Sequence, residues 1–143
     1  MKLTKLGLVT LVAAALMLGF LHSAAFSKEI EWQSFDNGIA RSKSENKKLF
    51  VHFYADWCGA CKLMENNTFK DPDIIGYLNE NFISIKVNTD RQQQISAMFR
   101  IQALPDNWFI TEKGSPIGHQ PGYITSAQLK MILQAVIEQD TGQ

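Results

Sequence analysis

Two cysteines three positions apart close an apolar run, Phe50-Val51-His52-Phe53-Tyr54-Ala55-Asp56-Trp57-Cys58-Gly59-Ala60-Cys61-Lys62, and this stretch restricts the fold more than any other. The run to Ala55 is β-rich, and Gly59, Ala60, Lys62, Leu63 and Met64 suit a helix that starts directly after it. A strand that turns tightly into such a helix puts Cys58 at the helix N-terminus. There, unpaired backbone N–H groups and the positive dipole end favour thiolate over thiol. Cys58 is therefore the expected nucleophile. The dipole is worth about 0.3–1 kcal/mol and one pKa unit about 1.36 kcal/mol, so a larger depression requires direct hydrogen bonds to the sulfur. Cys61, one helical turn on, reaches Cys58 but is shielded. That suits a resolving role: Cys58 attacks a disulfide, a mixed disulfide forms, and Cys61 releases the reduced product.

Two other uses of the pair fit less well. A structural zinc site takes four Cys or His ligands, whereas the chain has two cysteines, and His52 and His119 form no recognisable ligand pair. A purely structural disulfide closing so small a loop removes little chain entropy.

Trp57-Cys58-Gly59-Ala60-Cys61-Lys62 resembles the active site of the thioredoxin superfamily. With Tyr54-Ala55-Asp56 before it and Thr68-Phe69-Lys70-Asp71-Pro72 after it, the string is most similar to the C-terminal periplasmic thioredoxin domain of the disulfide reductase DsbD. The resemblance implies an α/β thioredoxin fold, a central mixed β-sheet flanked by helices on both faces, whose redox centre is the Cys58/Cys61 dithiol without a further cofactor or metal. It also assigns positions. Ala103-Leu104-Pro105 matches the cis-proline segment facing the cysteines, so Leu104 and Pro105, with Trp57, Gly59 and Ala60, form the expected substrate-docking surface. Asp106 departs from the usual threonine after that proline, and a carboxylate pointing inward there would oppose thiolate formation.

Lys86 matches the lysine that approaches the buried active-site acid of thioredoxins, but the position of that acid is His52 here. A histidine can take the proton that Cys61 loses on resolving the mixed disulfide. Burial and the charge of Lys86 would both lower its pKa and keep it neutral. The bland alternative is a core histidine satisfied by a backbone carbonyl. Glu65 matches an acidic position of the DsbD domain where carboxylates hold up the thiol pKa; its alternative is a solvated helix glutamate. Asp56 reads as an exposed cap or surface charge, and Phe53 and Tyr54 as core.

Residues 1–25 read as a signal peptide. Lys2 and Lys5 precede an uncharged apolar run of 16 residues, Leu6 to Leu21, and Ser23-Ala24-Ala25 offers a cleavage site. Sixteen residues fall short of the roughly 20 needed to cross a bilayer, which favours cleavage and a periplasmic location over anchoring in the inner membrane. Removing 25 of 143 residues leaves 118, enough for one domain, 26–143. The 14 basic and 14 acidic residues of the chain become 12 and 14 on losing Lys2 and Lys5, a balance that gives nucleic acid no foothold.

Along the mature chain the pattern predicts an extended piece around Ile30 and Trp32, then a helix from about Asn37 to Glu45 capped by Asp36. A central strand over 48–55 and the Cys-x-x-Cys helix to about Asn67 follow. A helix opened by Asp71-Pro72-Asp73 leads to a strand from Phe82 to Val87. Asp90 to Phe99 is a predicted helix, Trp108 to Ile110 a strand, Glu112-Lys113-Gly114 a turn and Pro116 to Gln120 an edge strand. Ser126 to Gln139 closes the chain as an amphipathic helix with Leu129, Ile132, Leu133 and Val136 on one face.

The expected activity is that of a monomeric periplasmic thiol-disulfide oxidoreductase. It acts as a reductase on protein disulfides and is recharged by a membrane electron donor of the DsbD type. A thiol oxidase or isomerase would use the same residues with a more stabilised Cys58 thiolate. A chaperone or Cu(I)-binding module is the non-enzymatic alternative, two thiolates being suited to a soft metal.

Overall fold

The structure, a computed structural model, describes residues 29–139. The expected signal peptide, 1–25, lies outside them. In chain order the elements are β1 (Trp32–Gln33), α1 (Phe35–Glu45), β2 (Lys48–Tyr54), α2 (Gly59–Asn66), a single 3-10 turn (Thr68–Lys70), α3 (Pro72–Asn81), β3 (Phe82–Asn88), α4 (Gln93–Met98), β4 (Asp106–Ile110), β5 (Pro116–Pro121) and α5 (Ser126–Glu138).

One five-stranded sheet runs in the order β1-β3-β2-β4-β5. β1 and β2 lie parallel to β3, β4 is antiparallel to β2, and β5 is antiparallel to β4. β2 is thus central, and its first six residues are buried, as a near-continuous apolar run requires of a strand covered on both faces. Phe50 joins Met64, Phe69, Ile74, Leu78, Phe109, Leu129 and Leu133 in the core beneath α2, α3 and α5. Leu49, Val51 and Phe53 face the other way, against Phe35 and Ile39 of α1 and Ile95 of α4. The mixed sheet with helices on both faces is the expected architecture.

Local chemistry fixes the element ends. α1 starts at Phe35, with Ser34 rather than Asp36 at the N-cap position. Phe35 packs edge-on against Phe99, 6.0 Å between ring centres, so this half-buried aromatic pulls the helix start forward and leaves Asp36 in its first turn. Gly38 lets α1 approach β3, since a Cβ there would overlap the Cγ1 and Cδ1 of Ile85. α4 is shorter than the predicted Asp90 to Phe99. Asn88 Oδ1 accepts the N–H groups of Asp90 and Arg91, and Gln92 Oε1 accepts that of Asn88, holding 90–92 in a turn. β4 starts at Asp106, immediately after Pro105, two residues before the predicted Trp108. α5 is closed by a capping box in which Thr125 and Gln128 bond reciprocally.

Candidate functional site

Asp71 and Pro72 reset the chain for α3, but the site is made one helix earlier. β2 ends at Tyr54 and α2 begins at Gly59. Cys58 occupies the N-cap with extended backbone, and its Sγ accepts the Cys61 N–H at 3.1 Å. One of the orphan donors of the helix terminus is therefore aimed at the expected nucleophile. Cys58 and Cys61 form a disulfide. Cys58 is 5% exposed and Cys61 1%, so the shielding expected of the second cysteine holds, with the first only slightly more open.

Ala55, Cys58 and Cys61 form a small core of their own, and Tyr54, Ala60 and Leu104 pack against it. Leu104 is thus brought to the disulfide from 43 residues along the chain. The Leu104-Pro105 peptide bond is cis, and the Pro105 carbonyl accepts the N–H of Gly122 at 2.7 Å. Trp57 is 70% exposed, yet its ring is not free to turn: Nε1–H donates to Asp90 Oδ2 at 3.0 Å. Beside it opens a groove of about 340 Å³ that Ile101, Ala103 and Leu104 also line. Gly59 is exposed, with open space where a side chain would stand. Asp56 is exposed as expected, and it pairs with Arg91 Nη2 at 2.7 Å and accepts from Asn88 Nδ2 at 3.1 Å.

His52 lies on the sheet face that α2 covers and is fully buried. Its ring stacks parallel to Tyr54 at 6.1 Å and meets Phe69 edge-on at 4.8 Å. Its Nδ1 bonds Asn107 Oδ1 at 2.8 Å, while Nε2 is buried with no hydrogen-bond partner among the described residues. A side-chain amide on the neighbouring strand, rather than a backbone carbonyl, satisfies the ring. Burial pushes the pKa of His52 from its ordinary 6.5 down to about 4; the Asn107 bond opposes that, Lys86 adds to it, and Glu65 opposes it.

Lys86 stands beside His52 in register on β3. Its ammonium pairs with Glu65 of α2 and sits 4.4 Å from the centre of the Tyr54 ring. Glu65 is accordingly not the freely solvated helix glutamate. It shares a small pocket with Cys61, Tyr54, Ala55 and Asp56. Tyr54 is half-buried, packing against the disulfide and stacking on His52 rather than lying in the core with Phe53.

Asp106 does not point inward. Its register partner is Phe53, on the face opposite His52, and its buried carboxylate accepts from His119 Nδ1 at 2.9 Å. His119 stacks on Trp108 at 4.4 Å. The sequence reading missed Asn107, whose only signal is a polar residue that follows Asp106 and opens directly onto the apolar Trp108-Phe109-Ile110. Among the described residues no three His, Cys, Asp or Glu side chains gather as a metal-binding group, and no helix is long and apolar enough to cross a membrane.

The description "Thioredoxin-like domain" matches residues 35–137. The chain is 29% identical over 99 residues to the thiol:disulfide interchange protein DsbD of Photorhabdus laumondii, which covers 67% of this chain and 17% of that protein. It is 31% identical over 91 residues to the thioredoxin of Mycoplasmoides gallisepticum, covering 64% of this chain and 86% of the relative. The solution structure of a thioredoxin from Thermus thermophilus superposes with a TM-score of 0.70 at 20% identity, over 76% of this chain and 88% of that one. The chain thus spans about a sixth of the DsbD relative and most of the thioredoxin.

Proposed function

The chain belongs to the thioredoxin-like family as a thiol-disulfide oxidoreductase with a Cys58–Cys61 pair, and we propose that it works as a periplasmic disulfide reductase acting on protein disulfides. One observation carries the chemistry: Cys58 caps α2 and holds the Cys61 N–H on its sulfur while Cys61 lies deeper. In the reduced protein that N–H and the helix terminus stabilise the Cys58 thiolate. The thiolate attacks a substrate disulfide, one substrate sulfur leaves, and a mixed disulfide joins Cys58 to the other. Cys61 then attacks Cys58 Sγ and expels the second substrate thiolate. Trp57, Gly59, Ala60, Leu104 and Pro105 receive the substrate chain beside the disulfide.

Cys61 is nearly closed to water, so its proton needs an internal acceptor. His52 takes that role in this reading. At neutral pH it is uncharged, and the negative charge developing on Cys61 favours the imidazolium that the oxidised protein disfavours. The Lys86–Glu65 pair closes the edge of this buried compartment. The reducing direction and a membrane donor of the DsbD type rest on similarity to one part of DsbD, as does the periplasmic location expected from residues 1–25. A protein acting alone on its substrates, as a monomer, is consistent with a site built within one chain.

The deciding experiment is the reduction potential of the Cys58/Cys61 pair in defined thiol buffers. A value near about −270 mV, the range of thioredoxin, supports the reductase; one near about −120 mV, that of a strong oxidant, overturns the direction.

A further inference from the structure

We propose that Asn107 fixes the tautomer of His52, holding the ring proton on Nδ1 and leaving Nε2 as the free base. The inference rests on the proton-acceptor reading of His52 given above. Asn107 is fully buried on β4, directly opposite His52 on β2. Its Nδ2 faces the carbonyl oxygen of Gln120 at 3.2 Å and the sulfur of Met64 at 3.8 Å. Both are acceptors, so the amide must present its NH₂ group to them. Turning it over would set Oδ1 against the Gln120 carbonyl, so that two acceptors face each other and the buried Asn107 oxygen goes unpaired. Oδ1 therefore faces His52 Nδ1, 2.8 Å away, and can only accept. Nδ1 must carry the hydrogen, and in a neutral ring Nε2 then carries the lone pair.

Among the described residues, Nε2 has no competing hydrogen-bond partner. Trp32, Tyr54 and Phe69 present ring faces and edges to the imidazole. The charged groups acting on it are Lys86 on β3 and Glu65 on α2, which are paired with each other. A buried acceptor left unmatched is costly, and here it coincides with the need for a proton acceptor beneath the helix bearing Cys61. In the resolving step the Cys61 S–H proton passes to Nε2. The Cys61 sulfur bonds to Cys58 Sγ, and the electron pair of the Cys58–substrate bond leaves on the substrate sulfur. The imidazolium then yields its proton, which balances the protonation of the departing thiolate; no further oxidant or reductant is used. Asn107 touches neither sulfur and is a positioning residue.

The test is the ¹⁵N spectrum of the His52 ring in the labelled whole chain, at neutral pH, with single-turnover kinetics of mixed-disulfide resolution. In the wild-type protein Nδ1 is expected to be the protonated nitrogen and Nε2 the bare one; a proton on Nε2 overturns the proposal without any variant. Asn107→Leu removes the acceptor, and loss of one neutral hydrogen bond should move the tautomer ratio about fivefold toward Nε2–H and slow resolution by a similar factor. Asn107→Asp keeps an acceptor opposite Nδ1 but adds charge, so the acid limb of the resolution rate should move to higher pH. A merely structural role for Asn107 moves neither the ring-nitrogen spectrum nor that limb, and either result unchanged in folded variants refutes the clamp. His52→Leu separates the two readings: if it leaves resolution unslowed, the proton-acceptor role fails while the tautomer assignment stands on its spectrum.

Discussion

Lowering the pH from about 7.5 to about 5 should cost the oxidised protein about 2 kcal/mol of stability through His52 alone. The native ring titrates at about 4 because it is buried, against an ordinary 6.5 in the unfolded chain. Above the unfolded value both states leave the ring neutral, and His52 contributes no pH dependence. As pH falls below it, the unfolded chain binds a proton that the native state refuses. Stability is therefore lost between about 6.5 and about 4 and levels off below, when both states are protonated. The full difference, at about 1.36 kcal/mol per unit, is about 3 kcal/mol, a large share of the stability of an ordinary small domain. Urea unfolding of wild type and His52→Leu across a pH series, disulfide intact, isolates the effect, because the substitution removes the imidazole from both the folded and the unfolded chain. His52→Gln serves the same comparison if the leucine variant does not fold. Parallel curves between about pH 7.5 and 5 would refute the assignment of a buried, neutral imidazole.

Other consequences are separately measurable. Cys61→Ser should accumulate a mixed disulfide between Cys58 and a substrate, seen by mass spectrometry, whereas Cys58→Ser should accumulate none. Gly38→Ala should destabilise the fold by about 1–3 kcal/mol in urea, because the new methyl group meets Ile85 where α1 crosses β3; an unchanged midpoint would show that the helix can lift away freely. His119→Ala leaves the Asp106 carboxylate buried without its imidazole partner, and should cost about 1–3 kcal/mol in the same assay while the reduction potential stays put, since the pair lies on the face away from α2.

Much of the site was legible because its chemistry is local. Strand, turn, two cysteines and helix occupy one continuous stretch, so spacing alone places Cys58 at an N-terminus and Cys61 one turn in. His52 was legible as a departure from a pattern, but not its partner. Asn107 is 55 residues away in sequence, and only the register of β2 against β4 brings them together. Asp106 illustrates the same limit. Strand alternation puts it and Asn107 on opposite faces, yet which faced α2 depended on where β4 begins, and β4 begins at the residue after Pro105. The α4 boundary failed for a different reason: Asn88 and Gln92 side chains compete for the backbone groups that a longer helix would have used.

The two outermost strands have a consequence for the behaviour of the protein at high concentration. An exposed strand edge is a template for another chain, and long flat edges invite aggregation. Here β1 has two residues, too few to recruit a partner over any length. At the other side β5 begins and ends with proline, Pro116 and Pro121, each lacking the N–H that an added strand would need. A register shift at Phe109/Ile110 interrupts the regular pairing beneath it, and such irregularities bend and twist an edge. Both sides of the sheet are thus blunted by sequence, and a partly opened molecule has little with which to seed a fibril or swap strands with its neighbours.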